Sequence, residues 1–225
     1  MTRLPDSLRL ATPTAVATLA ALFLLPAVFW LSHEAQLDRL RAAQEVEMRA
    51  RIQTLESVLL RQRAVATVLA DDSLALGALR DPGPASRDRV SQKLDRLKAE
   101  TDSAVIYLLD RRGVAISASN WDEATSFVGA DYSFRDYFRQ AMAKGEAQQF
   151  ALGKVSHRAG LYLSHDVAEP GGPAEGVVVV KVEFGWLEES WRASAARTDV
   201  RDAAGRAILS SDPALRLQPV PPPAW

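Results

Sequence analysis

The stretch SNWDEATSFVGADYSFRDYFRQAM, residues 119–142, decides how this chain is read. Within it Tyr132-Ser133-Phe134-Arg135-Asp136-Tyr137-Phe138 crowds four aromatic rings around one guanidinium, in a chain whose aromatic content is only 7%. Residues 134–144 have helical spacing, Ser133 stands where an N-cap belongs, and Gly145 follows the last turn. On that reading Arg135 falls in the first helical turn. Free backbone N–H groups and the helix dipole already favour an anion there, and a guanidinium takes a carboxylate through two parallel bonds. Tyr132 and Tyr137 add hydroxyl donors, and Phe134 or Phe138 closes an apolar wall. Two plainer readings stand beside it: a helix start packing its rings into a core, and a surface arginine stacked on a ring.

On either side of this stretch the hydrophobic period is two. Residues 104–110 read as a strand, Arg111-Arg112-Gly113 as a turn and 114–119 as the returning strand. Three more strands are expected at 148–156, 161–167 and 176–184, with Pro170-Gly171-Gly172-Pro173 turning between the last two, and helix resumes over 185–195. A five-stranded antiparallel sheet flanked by helices, an α+β architecture, is the economical arrangement. Lys181 interrupts the valine run of the last strand. An ammonium in a central strand either pairs with Glu183 on the same face or meets an anion. Ser156, Tyr162 and Ser164 lie on neighbouring strands, and Tyr162 and Ser164 share a face. With Arg135 and Lys181 they form a set of short donors between two cations, which suits a small ligand carrying a carboxylate at each end.

Toward the N-terminus, residues 33–79 follow a helical pattern with Leu37, Leu40, Ile52, Leu55, Leu59, Val65, Val68 and Leu69 on one stripe. Glu45 and Glu47 precede Arg49 and Arg51 by four residues, the favourable order for a solvated helix face. A continuous helix to residue 70 measures on the order of 55 Å. It serves either as a rigid spacer or as a rod that carries displacement. Asp81-Pro82-Gly83-Pro84 ends the pattern, and a second helix, 86–101, sets Val90, Leu94 and Leu97 on one side. Before all this, residues 11–31 carry no charge. That run is long enough to cross a hydrocarbon layer of about 30 Å. Arg3 and Arg9, opposed only by Asp6, place the N-terminus in the cytoplasm. A cleaved signal peptide is the competing reading, but the bulky exit Ala27-Val28-Phe29-Trp30-Leu31 lacks a small-x-small site, so an uncleaved anchor is favoured. At the other end, VRDAAGRAILSSD reads as a hairpin without strand partners, followed by a proline-rich tail, and is expected to be mobile.

Composition excludes several classes. Lys+Arg 27 against Asp+Glu 28 leaves no field to attract nucleic acid. The absence of cysteine removes disulfides and thiolate chemistry, and three histidines make a metal cage or cofactor site unexpected. There is no phosphate-binding glycine loop. Ser164-His165-Asp166 spells a triad in letters only, because consecutive strand residues face opposite ways. Binding, not catalysis, is what the residues point to.

Three separated stretches, IYLLDRRGVAISASNWDEATSFVGADYSFRDYF, QFALGKVSHRAGLYLSHDV and GVVVVKVEFGWLEESW, occur in an order that resembles the extracytoplasmic sensor region of DctB-type histidine kinases, which respond to four-carbon dicarboxylates. The resemblance implies a PAS-like (double Cache) sensor. Its expected layout is a cytoplasmic N-terminus at 1–10, a transmembrane helix at 11–31, a membrane-distal Cache domain with its long helix at 32–195, and an incomplete membrane-proximal module with a Pro-rich tail at 196–225. It implies that Arg135 and Lys181 hold the two carboxylates of a succinate-, fumarate- or malate-like ligand, with Tyr132 in the same site and Ser164 a further candidate. Tyr162, Ser156 and Tyr137 complete the expected ligand-binding set. Asn120 and Trp121 match a loop that shapes the pocket, along with Phe134 and Phe138. The implied setting is a homodimer through the long helix, single-pass in a bacterial inner membrane, with the sensor in the periplasm and the kinase outside these residues. Lys154 and Val155 stand where the family usually offers small hydroxyl residues, and Leu161 where it has an aromatic. A non-binding adaptor, or the input domain of another receptor class, is the alternative.

Overall fold

The computed structural model describes residues 13–194 and 197–220. The expected N-terminal segment 1–10 lies outside them, as do most side chains of the 11–31 run, whose backbone is helical from Pro13. Among the described residues no helix is long and apolar enough to cross a membrane.

The chain divides into two units, Met1–Ser57 and Val58–Trp225. The first is the N-terminal part of α1 (Pro13–Ala70). Its solvated face carries the expected Arg49–Glu45 and Arg51–Glu47 pairs, joined by Arg41–Asp38.

The second unit begins with the last turns of α1, followed by α2 (Ser73–Arg80) and α3 (Pro84–Thr101). The continuous helix ends at Ala70, as expected, and the helical pattern read on to residue 79 belongs to a separate helix. Asp72 accepts hydrogen bonds from the Leu74 and Ala75 amides at 3.0 and 3.2 Å and so starts a new helix, α2. The expected apolar stripe is also modified: Val68 is 71% exposed, while Gln62, Ala66 and Leu69 are buried. Gln62 earns its place by donating to the Thr101 carbonyl and accepting from the Ser103 hydroxyl.

Five strands follow in two groups: β1 (Val105–Asp110) and β2 (Ala115–Ala118), then β3 (Glu146–Leu152), β4 (Ala159–Val167) and β5 (Gly176–Val182) after α4 (Asp136–Lys144). The sheet order is β2-β1-β5-β4-β3, antiparallel throughout. β5 lies in the middle and is buried along its whole length, which is why its sequence is an unbroken valine run with no alternation. α3 packs on β1 and β2, and α4 on β3, β4 and β5. The face under α4 gathers Tyr107, Val177, Val179, Tyr162, Tyr137 and Phe138 into one cluster.

α5 (Gly185–Arg192) leads to β6 (Asp199–Arg201) and β7 (Ala207–Ser210), a two-stranded sheet. The expected hairpin forms, and among the described residues no strand of the five-stranded sheet pairs with it. Its strands pair with each other, Ala207 and Leu209 are buried, and Glu188 of α5 accepts from the Ser210 amide while pairing with Arg216. The Pro-rich end at 221–225 lies outside the described residues.

Candidate functional site

The segment before α4 is held by backbone geometry rather than by a serine cap. The Tyr132 amide donates to the Gly113 carbonyl at 2.8 Å, Asp131 Oδ1 takes the Ser133 amide, and the Arg135 amide closes a turn onto the Tyr132 carbonyl. Those bonds consume the N–H that a cap would have organised. The helix therefore begins at Asp136, with Arg135, in extended conformation, as its N-cap residue. Arg135 thus sits one residue ahead of the first turn, and Ser133 is not the cap.

This turn delivers Tyr132 to the sheet face. All four tyrosines of the chain, Tyr107, Tyr132, Tyr137 and Tyr162, lie there and are buried. Tyr107 and Tyr132 have ring centroids 5.2 Å apart, with Phe127 against both. Tyr137 stacks on Tyr162 at 5.0 Å and 8°. Burial raises the pKa of each hydroxyl. For Tyr162, nearby Arg135 offsets part of that rise and the Glu183 carboxylate adds to it, leaving its pKa pushed up to about 12. Tyr132 and Tyr137 are raised too, and both feel Arg135 as an opposing charge.

Arg135 donates from Nη2 to the Leu152 carbonyl at 2.8 Å and lays its guanidinium over the Phe134 ring, 5.0 Å from the centroid. Its Nε–H and the Tyr132 hydroxyl are buried without a hydrogen-bond partner. Phe134 itself is 49% exposed and also carries the Lys154 ammonium, while Phe138 is buried in the core.

Lys181 is fully buried on β5, directly opposite Tyr162 of β4 and on the same face as the tyrosines. Its ammonium bonds Ser156 Oγ at 2.7 Å, pairs with Glu183 and lies 6.0 Å from the Tyr162 centroid. Glu183 also meets Arg158 at 3.5 Å. The strand expected to run to residue 156 ends at Leu152. The β3–β4 loop then folds back, with the Gly153 amide on the Arg158 carbonyl and the His157 amide on the Gly153 carbonyl. That loop brings Ser156 to Lys181. Gly153 is required there: a Cβ would fall 2.4 Å from Ser156 Oγ and 3.1 Å from the Tyr162 hydroxyl.

The expected residues therefore divide. Arg135, Tyr132, Tyr137, Tyr162, Lys181 and Ser156 share one sheet face. Ser164 shares it as well, but its hydroxyl faces the Tyr137 and Ala147 carbonyls at 2.9 and 3.1 Å. Asn120 is buried and ties its own loop, donating to the Thr125 carbonyl and accepting from the Phe127 amide. Trp121 is 41% exposed and lines a cleft with Pro84, Arg87 and Ser91 of α3. Tyr107 was not anticipated. It reads as an ordinary strand residue, and only its register opposite Val179, with β5 between it and the strand of Tyr162, reveals its place. Two cations, four tyrosine rings and two buried donors without a hydrogen-bond partner are thus the groups gathered beneath and beside α4.

No family model matches the chain. It is 50% identical over 168 residues to the C4-dicarboxylate transport sensor protein DctB of Rhizobium meliloti (strain 1021), covering 75% of this chain and 27% of that protein. The chain spans about a quarter of the length of the curated relatives it matches. The V. cholerae histidine kinase DctB sensor domain superposes with a TM-score of 0.70 at 26% identity, over 88% of this chain and 72% of that one. The ligand-binding domain of the Pseudomonas aeruginosa PAO1 amino acid chemoreceptor PctC, in complex with GABA, shares the fold with a TM-score of 0.56 at 22% identity, over 72% of each chain. The Cache-type fold expected from the sequence is thus the observed one, and over its sensor region the chain matches DctB-type sensors in both sequence and fold.

Proposed function

We propose that the chain is the input region of a membrane-anchored sensor that binds a small four-carbon dicarboxylate, with Arg135 and Lys181 each taking one carboxylate. The observation that carries this reading is the pair of buried, unpartnered donors, Arg135 Nε and the Tyr132 hydroxyl, on the same sheet face as a fully buried ammonium. Leaving such groups unpaired costs about 1–3 kcal/mol each, so a fold retains them where a ligand supplies the acceptor. A carboxylate at Arg135 satisfies Nε and the Tyr132 hydroxyl together. A second meets the Lys181 ammonium, which Ser156 Oγ and Glu183 hold in the ligand-free chain. Tyr162, between the two cations, forms the floor under the ligand's short carbon chain. The names of the curated relatives, which sense C4-dicarboxylates, support the same class.

In this reading the apolar run at 11–31 anchors the chain in a bacterial inner membrane, the sensor faces the periplasm, and α1 mediates a homodimer. Input rather than catalysis is its role. Closure around the ligand shifts α1 only to the extent that the ligand prefers one of two states.

The test is calorimetry on the full chain in detergent micelles with succinate, fumarate, malate, butyrate and GABA. Dicarboxylates release heat and the monocarboxylate does not, and Arg135→Ala abolishes the signal. No heat from any dicarboxylate removes the binding reading and favours a non-binding adaptor. A response to GABA alone reassigns the site to another receptor class.

A further inference from the structure

Lys181 is buried, and a buried ammonium requires a counter-charge. Glu183, two residues along and on the same face, supplies it. Glu183 is bound from both sides: one oxygen faces Lys181 and the other lies 3.5 Å from Arg158 Nη1, whose side chain is 76% exposed. Beyond Glu183 opens a cavity of about 470 Å³, bounded by Arg158, Glu183, Phe184, Glu188 and Arg216. A carboxylate leaving Lys181 therefore has both room and a waiting cation.

Resting on the binding reading above, we infer that Glu183 is a built-in competitor: it occupies Lys181 in the ligand-free state, yields it to an incoming carboxylate and moves to Arg158. Glu183 thereby sets affinity and class of ligand. The competition also weakens every ligand that brings only one carboxylate, because the Arg135 contact alone does not displace Glu183 from Lys181. Arg158 acts through Glu183. It draws the side chain outward and is a positioning residue with no ligand contact.

Two substitutions move the result in opposite directions. Glu183→Gln removes the competing charge and keeps the shape, so succinate binds the full chain roughly tenfold more tightly by calorimetry, the scale of one close charge pair. Arg158→Ala removes the outward pull, leaves Glu183 on Lys181 and weakens binding several-fold. If the wild-type chain binds succinate and Glu183→Gln binds it equally or more weakly, the competitor role is overturned and the binding reading stands. If Glu183→Gln does not fold, Arg158→Ala decides alone: weaker binding supports the inference, and equal or tighter binding overturns it. If neither the wild type nor either variant responds to succinate, the binding reading falls first and takes the inference with it.

Discussion

The hydroxyl of Tyr107 lies 2.7 Å from that of Tyr137, and both rings are buried on the sheet face that also holds Tyr132 and Tyr162. A tyrosine pair of this kind is stable only while both hydroxyls keep their protons, since an anion there has neither water nor a directly bonded cation.

Alkaline pH therefore unfolds this domain from the tyrosine layer outward. Each folded-state pKa is raised above the ordinary value near 10, so between the unfolded and folded values the unfolded chain holds fewer protons. Stability is fully present below about pH 10 and falls as pH rises through the folded values, by up to about 1.4 kcal/mol per pH unit for each tyrosine. For Tyr162, with a folded value of about 12, the window is roughly pH 10–12. Tyrosinate absorbance of the folded chain should stay low at pH 10 and then rise together with loss of circular dichroism. Ordinary titration of all four tyrosines near pH 10, with the fold intact, would contradict the layer described.

Gly160 sits where β4 passes Lys181. A Cβ there would lie 2.7 Å from the Val182 carbonyl oxygen and 3.2 Å from Lys181 Cε. The backbone oxygen cannot rotate away, so Gly160→Ala pushes β4 off β5 or bends the lysine. The expected cost is about 1–3 kcal/mol of stability, the usual range for overpacking, together with weaker succinate binding. Chemical denaturation and calorimetry on the same preparation check both. Unchanged values for stability and binding would mean that the strands part without disturbing Lys181.

Much of this arrangement is legible in the sequence, for identifiable reasons. The valine run 177–180 announces a central strand because burial on both faces removes alternation, and Lys181 stands out against it for the same reason. Arg135 is legible as an anion-binding candidate because aromatic residues surround it. Its exact place is not, since the helix start depends on Asp131 taking the Ser133 amide and on the turn closing at Arg135. Both bonds are set by the register of the Asp131–Val114 bridge, a long-range contact. The break at Asp72 is hidden because Asp71-Asp72-Ser73 interrupts a helical pattern without proline or glycine. Tyr107 and the role of the 153–158 loop depend on strand pairing that no local signal encodes.

Gln62 is a polar residue on the buried side of α1, where the stripe reading expected apolar contacts. Its amide nitrogen reaches the Thr101 carbonyl at 2.6 Å, and its oxygen accepts from the Ser103 hydroxyl at 2.7 Å. Gln62→Leu keeps much of the volume but takes the side-chain donor from the Thr101 carbonyl and leaves the Ser103 hydroxyl only Thr101 Oγ1, 2.8 Å away. That loss should lower stability by about 1–3 kcal/mol. Arg61→Ala, one residue away on the exposed side, should change stability by less than about 0.5 kcal/mol. Equal effects of the two substitutions in urea melts would show that the glutamine contributes nothing specific.

Glu188 is 2% exposed, and its carboxylate is fixed by Arg216 Nε at 2.8 Å and by the Ser210 amide at 3.0 Å. Removing Arg216 leaves a buried carboxylate with one N–H for company, a change that typically costs about 3–5 kcal/mol. The Arg216 side chain is 34% exposed, so water enters and the lower end of that range applies. The loss should be local: β6 and β7 detach from α5 while the five-stranded sheet stays closed, since Glu188 touches none of its strands through hydrogen bonds. In Arg216→Ala, amide exchange should accelerate at 207–210 and remain slow at 176–182. Glu188→Gln should recover part of the protection on that background, because a neutral amide tolerates the missing cation better than a carboxylate does. Uniform acceleration through both sheets would instead show that the hairpin and the sensor sheet unfold as one.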